Sequence, residues 1–110
     1  MIEKIVLDYL NDVLTVPAYC EKPERPPERY VLIEKTGGSE ENYINSATIT
    51  LQSYAESLTG AAKLNEEVKS VMKDIVLLNS IGKSKINTDY NYTDTTKKQY
   101  RYQAIYDLYY

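Results

Sequence analysis

Histidine, phenylalanine and tryptophan are absent from this chain of 110 residues, and cysteine occurs once, as Cys20. Without histidine, the usual zinc ligand sets and most nucleophile–base pairs are missing. An enzyme built from what remains must rely on carboxylates, lysine or tyrosine. A lone cysteine excludes an intramolecular disulfide. No apolar run approaches the ~20 residues of a membrane span, and no charged-then-apolar leader opens the chain, so no membrane or secretory route is expected. A basic surplus is lacking as well. The 13 Lys and Arg against 16 Asp and Glu leave a net charge of −3, whereas a dedicated nucleic-acid binder carries a basic face. At this length the chain is one domain, residues 1–110, able to bury roughly two-thirds of its extended surface. The composition points to a structural or binding protein.

What the chain does have is tyrosine. Seven of its twelve tyrosines fall between Tyr90 and Tyr110, at alternate positions in places and on both sides of a polar Thr/Lys run. Strand side chains alternate between the faces of a sheet, so this pattern predicts a tyrosine-faced hairpin with strands over 83–93 and 99–109. Its register puts Tyr100, Tyr102, Ala104, Tyr106 and Leu108 on one face, expected against a helix. Arg101, Gln103, Ile105 and Asp107 fall on the other, expected to be open to neighbours.

Upstream, Ile2, Ile5, Val6, Tyr9, Leu10 and Val13 make one stripe of a short helix over 1–14, stopped by Val16-Pro17. A short edge strand is expected over 16–22, with Pro17 at its start, then a Pro/charge-rich connector over 21–29. A strand follows at 30–35, ended by Gly37-Gly38, with a polar loop over 39–42. Alternation of Ala47, Ile49 and Leu51 with Thr48, Thr50 and Gln52 predicts a strand over 45–54, antiparallel to the previous one. Leu58, Ala61, Ala62, Asn65, Val68, Met72, Ile75 and Leu78 recur at three and four residues, predicting a long helix over 55–79 closed by Gly82. Helices segregated from a mostly antiparallel sheet of four to five strands define the class α+β.

No motif carries specific chemistry. Asp89, Asn91, Thr93 and Asp94 begin like a calcium loop, but the sixth position is Asp94 rather than glycine and the twelfth is Tyr100 rather than glutamate. A strand end running into a turn accounts for them. Glu40-Glu41 and Glu66-Glu67 are adjacent pairs that do not face each other on a helix, and read as solvated. Asn91-Tyr92-Thr93 is a glycosylation acceptor only in a secreted protein. The prolines 23–27 lack a PxxP register with apolar anchors and read as a linker. Lys83, Lys85, Lys97, Lys98 and Arg101 interleave with tyrosines and could stack nucleic-acid bases. The favoured account is lysine protection of an edge hairpin.

Several stretches together resemble one family. Val16-Pro17 follows a first helix; then come the run from Pro27 to Gly38 (PERYVLIEKTGG), Ile49-Thr50-Leu51-Gln52-Ser53-Tyr54-Ala55 leading into the long helix, Asp89-Tyr90-Asn91-Tyr92-Thr93-Asp94, and Arg101-Tyr102-Gln103-Ala104-Ile105-Tyr106. In order and spacing these resemble the tail-terminator (tail-completion) proteins of long-tailed bacteriophages and prophages, over nearly the whole chain. Tyr54 departs from the family, which prefers tryptophan there. The resemblance implies an α+β virion protein that assembles as a hexameric ring, caps the tail tube, stops its polymerisation and offers a surface to the neck or head-closure protein. It implies no catalysis and no cofactor, with DNA passing through the ring without specific binding. Its place is the virion tail neck, after assembly in the host cytoplasm. A head-closure or adaptor component is the nearest alternative; a small nucleic-acid-binding or regulatory module is the alternative of another class. Candidate subunit or partner contacts are Arg29, Glu34, Lys35, Asp94, Lys97, Lys98, Arg101, Gln103 and Asp107. The segments 21–29 and 37–42 are the expected partner-facing loops.

Overall fold

The first apolar stripe forms as a helix because Ile2, Val6 and Leu10 recur on one side, and all three are buried. The structure, a computed structural model, describes residues 1–41 and 44–110. Helix α1 spans Ile2–Val13 and ends at Leu14, whose extended backbone leads into Pro17. Asn11 then brackets the next residues: its amide accepts from Ala18 N at 2.8 Å and donates to Ala18 O at 3.1 Å. That clamp sets β1, Ala18–Tyr19, parallel to the following strand. β1 is far shorter than the 16–22 expected, because only Ala18 and Tyr19 reach ladder partners.

Strands β2 (Tyr30–Glu41) and β3 (Ile44–Ala55) make an antiparallel hairpin. Here the expectation for the glycines fails. Gly37 and Gly38 do not end the strand; they sit inside β2 just after a one-residue register shift between Lys35 and Gly37. The extra residue is absorbed as a bulge, and a Cβ at Gly38 would come within 3.0 Å of Ser46 O, so the lack of a side chain permits the close ladder beyond it. Ser39–Glu41, expected as loop, is therefore strand, while Asn42 lies outside the described residues.

Helix α2 covers Leu58–Met72, not 55–79. Ala55 still belongs to β3, and Ser57 caps the helix by accepting from Gly60 N at 3.0 Å. Past Lys73 the chain tightens into a 3₁₀ turn, Ile75–Leu77. The apolar spacing continues to Leu78, but it is met by burying Ile75 from the turn, while Leu77 is left 79% exposed. Strands β4 (Lys83–Asn91) and β5 (Tyr100–Tyr109) complete a five-stranded sheet of order β1-β2-β3-β5-β4, antiparallel except for β1. The class is α+β.

The core lies between one sheet face and the helices. Val31, Ile33, Ala47, Ile49, Leu51, Ala104, Tyr106 and Leu108 supply the sheet side; Leu64, Val68 and Met72 supply α2. Tyr106 and Leu108 thus face the core as expected, with Tyr100 and Tyr102 half-buried on the same side. The two helices are tied by Tyr9 OH donating to Val71 O (2.5 Å) and by Glu67, which accepts from Thr15 N and Thr15 Oγ1 at 2.8 and 2.7 Å. Glu67 is therefore not merely a solvated acid.

Candidate interaction surface

Among the described residues the sheet's second face carries no helix, yet its centre is not open. Alternation on β2, β3, β5 and β4 places Tyr30, Tyr54, Gln52, Arg101, Gln103 and Tyr90 side by side there. Tyr30 and Tyr54 stack with ring centroids 4.6 Å apart and planes 4° from parallel, and Tyr19 meets Tyr30 edge-on at 6.1 Å. Both stacked rings are buried, at 3% and 6% exposure. From Tyr54 a hydrogen-bonded chain crosses the face. Arg101 Nη1 donates to Tyr54 OH (3.2 Å), which donates to Gln52 Oε1 (3.0 Å). Gln52 Nε2 donates to Gln103 Oε1 (2.7 Å), and Gln103 Nε2 to Tyr90 OH (2.6 Å).

Arg101 anchors one end of this chain. Its Nε donates to Tyr92 O at 2.7 Å, Nη1 also reaches Gln99 Oε1 at 3.3 Å, and the guanidinium lies 4.5 Å from the Tyr92 ring centre. Separate from this chain but on the same face of β5, Asp107 accepts from Thr48 Oγ1 (2.9 Å) and Asn87 Nδ2 (3.2 Å). Arg101, Gln103 and Asp107 thus share the face that their register predicted, but Gln103 is buried, with both amide ends bonded within the chain. Arrays of tyrosine and amide side chains that satisfy one another rigidify a surface. The burial of Tyr30 pushes its phenol up to about 12, a rise increased by Tyr54 and reduced by Arg101.

The remaining candidates are dispersed. Arg29 forms a two-pronged ion pair with Glu56, with Nε at 3.1 and 2.9 Å from the two carboxylate oxygens. Those hydrogen bonds pull the Glu56 carboxyl down to about 2. Asp94 caps the β4–β5 turn, accepting from Thr96 N and Lys97 N at 3.1 Å each, and Lys98 takes the left-handed conformation (φ 51°) that closes it. Lys97 and Lys98 stand exposed beside a cleft of about 310 Å³ that the connector residues Lys22, Pro26 and Glu28 share with the Tyr30–Tyr54 stack. Glu34 and Lys35 are exposed on β2 and form no ion pair among the described residues.

A second feature lies on the core side of β4. Asp89 accepts from Asn65 Nδ2 (2.9 Å) and pairs with Lys69 (3.0 Å), which also holds Glu66 at 2.9 Å, in a groove of about 500 Å³ between α2 and β4. The hydrogen bonds that Lys69 donates to both carboxylates, Glu66 first, push its ammonium further up. A lysine held charged in this way is a poor nucleophile or base. Asn65, only 1% exposed, leaves its Oδ1 without a partner among the described residues. Asn65 fell on the apolar helical stripe, and only the packing of α2 against β4 joins it to Asp89. Tyr30, Tyr54, Gln52 and Tyr90 were equally unmarked as a set, since three separate strands carry them.

No group of three or more His, Cys, Asp or Glu side chains among the described residues is placed to hold a metal ion. Among the described residues, no helix is long and apolar enough to cross a membrane. Compared with known proteins, the chain matches no family model and no curated protein.

Proposed function

We propose that the chain is a virion structural protein, a tail terminator that caps a phage tail tube as a ring, stops its growth and presents the head-joining surface. The observation that carries this reading is the form of the sheet: an open α+β sheet with one helix-packed face, one rigid tyrosine–amide face and two free edges. Such a sheet is built for contact with other chains, because edges and aromatic faces are what subunit interfaces use. The sequence resemblance names the assembly; the partners are further copies, the tail-tube protein and the neck protein. Arg29, Glu34, Lys35, Asp94, Lys97 and Lys98 are proposed as surface contacts, while Arg101, Gln103 and Asp107 hold the face in shape.

Electron microscopy of lysates lacking this protein tests the reading. Overlong tails are expected. Tails of normal length beside leaking heads place the protein in head closure instead, and no tail defect overturns the assignment to the virion. One observation favours a nucleic-acid module: Lys97 and Lys98 are exposed at one turn beside Lys22. Charge reversal of the first two leaves DNA binding unchanged under the proposal, whereas a steep loss with added salt in the native chain supports the rival.

A further inference from the structure

The sheet ends in two open edges of similar length. β4 has a neighbour on one side only, and β1 covers the outer side of β2 only at Val31 and Leu32. In a parallel pair a partner at Leu32 is held through its flanking residues, so Ile33 also lies against β1; this leaves Lys83–Asn91 on β4 and residues 34–41 on β2, nine and eight residues.

Only alternate residues of an edge strand turn their N–H and C=O outward. On β2 the phase is set by Val31, whose N–H reaches Pro17 O at 3.0 Å on the β1 side. The open outward residues are then Lys35 and, after the bulge at Thr36, Gly38 and Glu40. On β4 the phase is set by Tyr92, whose N–H turns inward to Arg101 O at 2.9 Å. Its outward residues are Asn91 and Asp89 and, past the bulge at Asn87, Ile86 and Ser84.

Through β3 and β5, β4 runs antiparallel to β2. A second copy that continues the sheet therefore sets its β2 antiparallel to β4. Each edge has one step of three residues between outward positions, Lys35 to Gly38 and Ile86 to Asp89. These steps coincide in a single register, which puts Ser84 opposite Glu40, Ile86 opposite Gly38 and Asp89 opposite Lys35, and ends where β1 begins. In it Lys83 faces Glu41, a complementary pair, and Lys35 faces Asp89, a carboxylate that Lys69 of its own chain already holds. None of Lys35, Glu40, Glu41, Lys83 and Lys85 forms an ion pair within the chain among the described residues. Gly38 leaves space opposite Ile86, an isoleucine 40% exposed. A two-fold pairing of β4 with itself about Asn87 fits worse, because Lys85 and Asp89 then meet from opposite faces of the sheet.

We propose that β4 of one copy pairs antiparallel with residues 34–41 of the next, in this register. The bulges blunt both edges against foreign strands, but two bulges placed to match admit a second copy. The contact is heterologous, since it joins different surfaces of the two copies, and a chain of such contacts closes into a ring or runs on as a filament. It supplies the self-contact of the proposed terminator and rests on that reading only for ring closure.

The test is a charge exchange read by light scattering, from micromolar up to about 1 mM. The native chain is expected to self-associate. Lys83→Glu alone and Glu41→Lys alone each place like charges opposite one another and weaken association by about tenfold. An equimolar mixture of the two variants regains it, because alternating copies set altered against altered and native against native. Both substitutions are at exposed positions, and unchanged circular dichroism verifies folding. A native chain that stays monomeric throughout, single variants that assemble like the native chain, or a mixture no better than its components overturns the pairing. Overlong tails in the deletion together with a silent charge exchange leave the terminator reading standing and remove only this interface.

Discussion

Replacing Tyr54 with phenylalanine isolates the polar network on the uncovered face from the packing beneath it. The ring remains, so its stack on Tyr30 at 4.6 Å and the buried apolar area are retained. What is lost is one hydroxyl that accepts from Arg101 and donates to Gln52. Arg101 keeps Gln99 and Tyr92 O as acceptors. Gln52 Oε1 loses its donor in a half-buried position. An unmet polar group of this kind costs about 1–3 kcal/mol, more than the net value of the bond itself. A loss of about 2 kcal/mol lowers the melting temperature of a domain this size by roughly 8 °C. Urea unfolding followed by circular dichroism measures it, with an unchanged m-value showing that the extent of unfolding is the same. Tyr92→Phe is the control. Its ring also packs on Arg101, at 4.5 Å, but its hydroxyl has no hydrogen bond among the described residues, so a change under about 0.5 kcal/mol is expected. Equal midpoints for the two variants refute the idea that the tyrosine–amide chain stabilises this face.

Two further outcomes follow from local geometry. The Tyr30 phenol is raised from 10.0 to about 12, so the folded state holds that proton more tightly than the unfolded chain does. The stabilisation is complete below pH 10 and is lost as pH rises through 12, a fall of about 2–3 kcal/mol; urea midpoints across that range measure it, and Tyr30→Phe flattens the fall. At the start of α2, Ser57→Ala removes the cap on Gly60 N and costs about 1 kcal/mol, with Ser57→Gly costing only a few tenths. Thermal melts of the two variants that coincide refute the cap.

The β3 strand was legible because its alternation is strict, and the hairpin over β4 and β5 because tyrosines mark it. The end of α2 was not. Ile75 and Leu78 keep helical spacing, but the chain reaches the same burial through a 3₁₀ turn, and periodicity cannot tell the two apart. Gly37-Gly38 misled for a similar reason. Two glycines commonly mark a turn, yet here the hairpin continues past them and only the ladder reveals the bulge. For the surface, the register of β5 correctly put Arg101, Gln103 and Asp107 together, but nothing local indicates that Gln103 spends both amide ends on Gln52 and Tyr90.

By itself the sequence determined the α+β class, the strands and helices with strong periodicity, and which side of β5 enters the core. Each of these depends on neighbours a few residues apart, whose spacing sets the face on which they fall. The tertiary structure alone decided the strand order β1-β2-β3-β5-β4, and with it the polar chain across three strands and the two edges left unpaired. Those features join residues that are distant along the chain, and sheet order and register decide which of them meet.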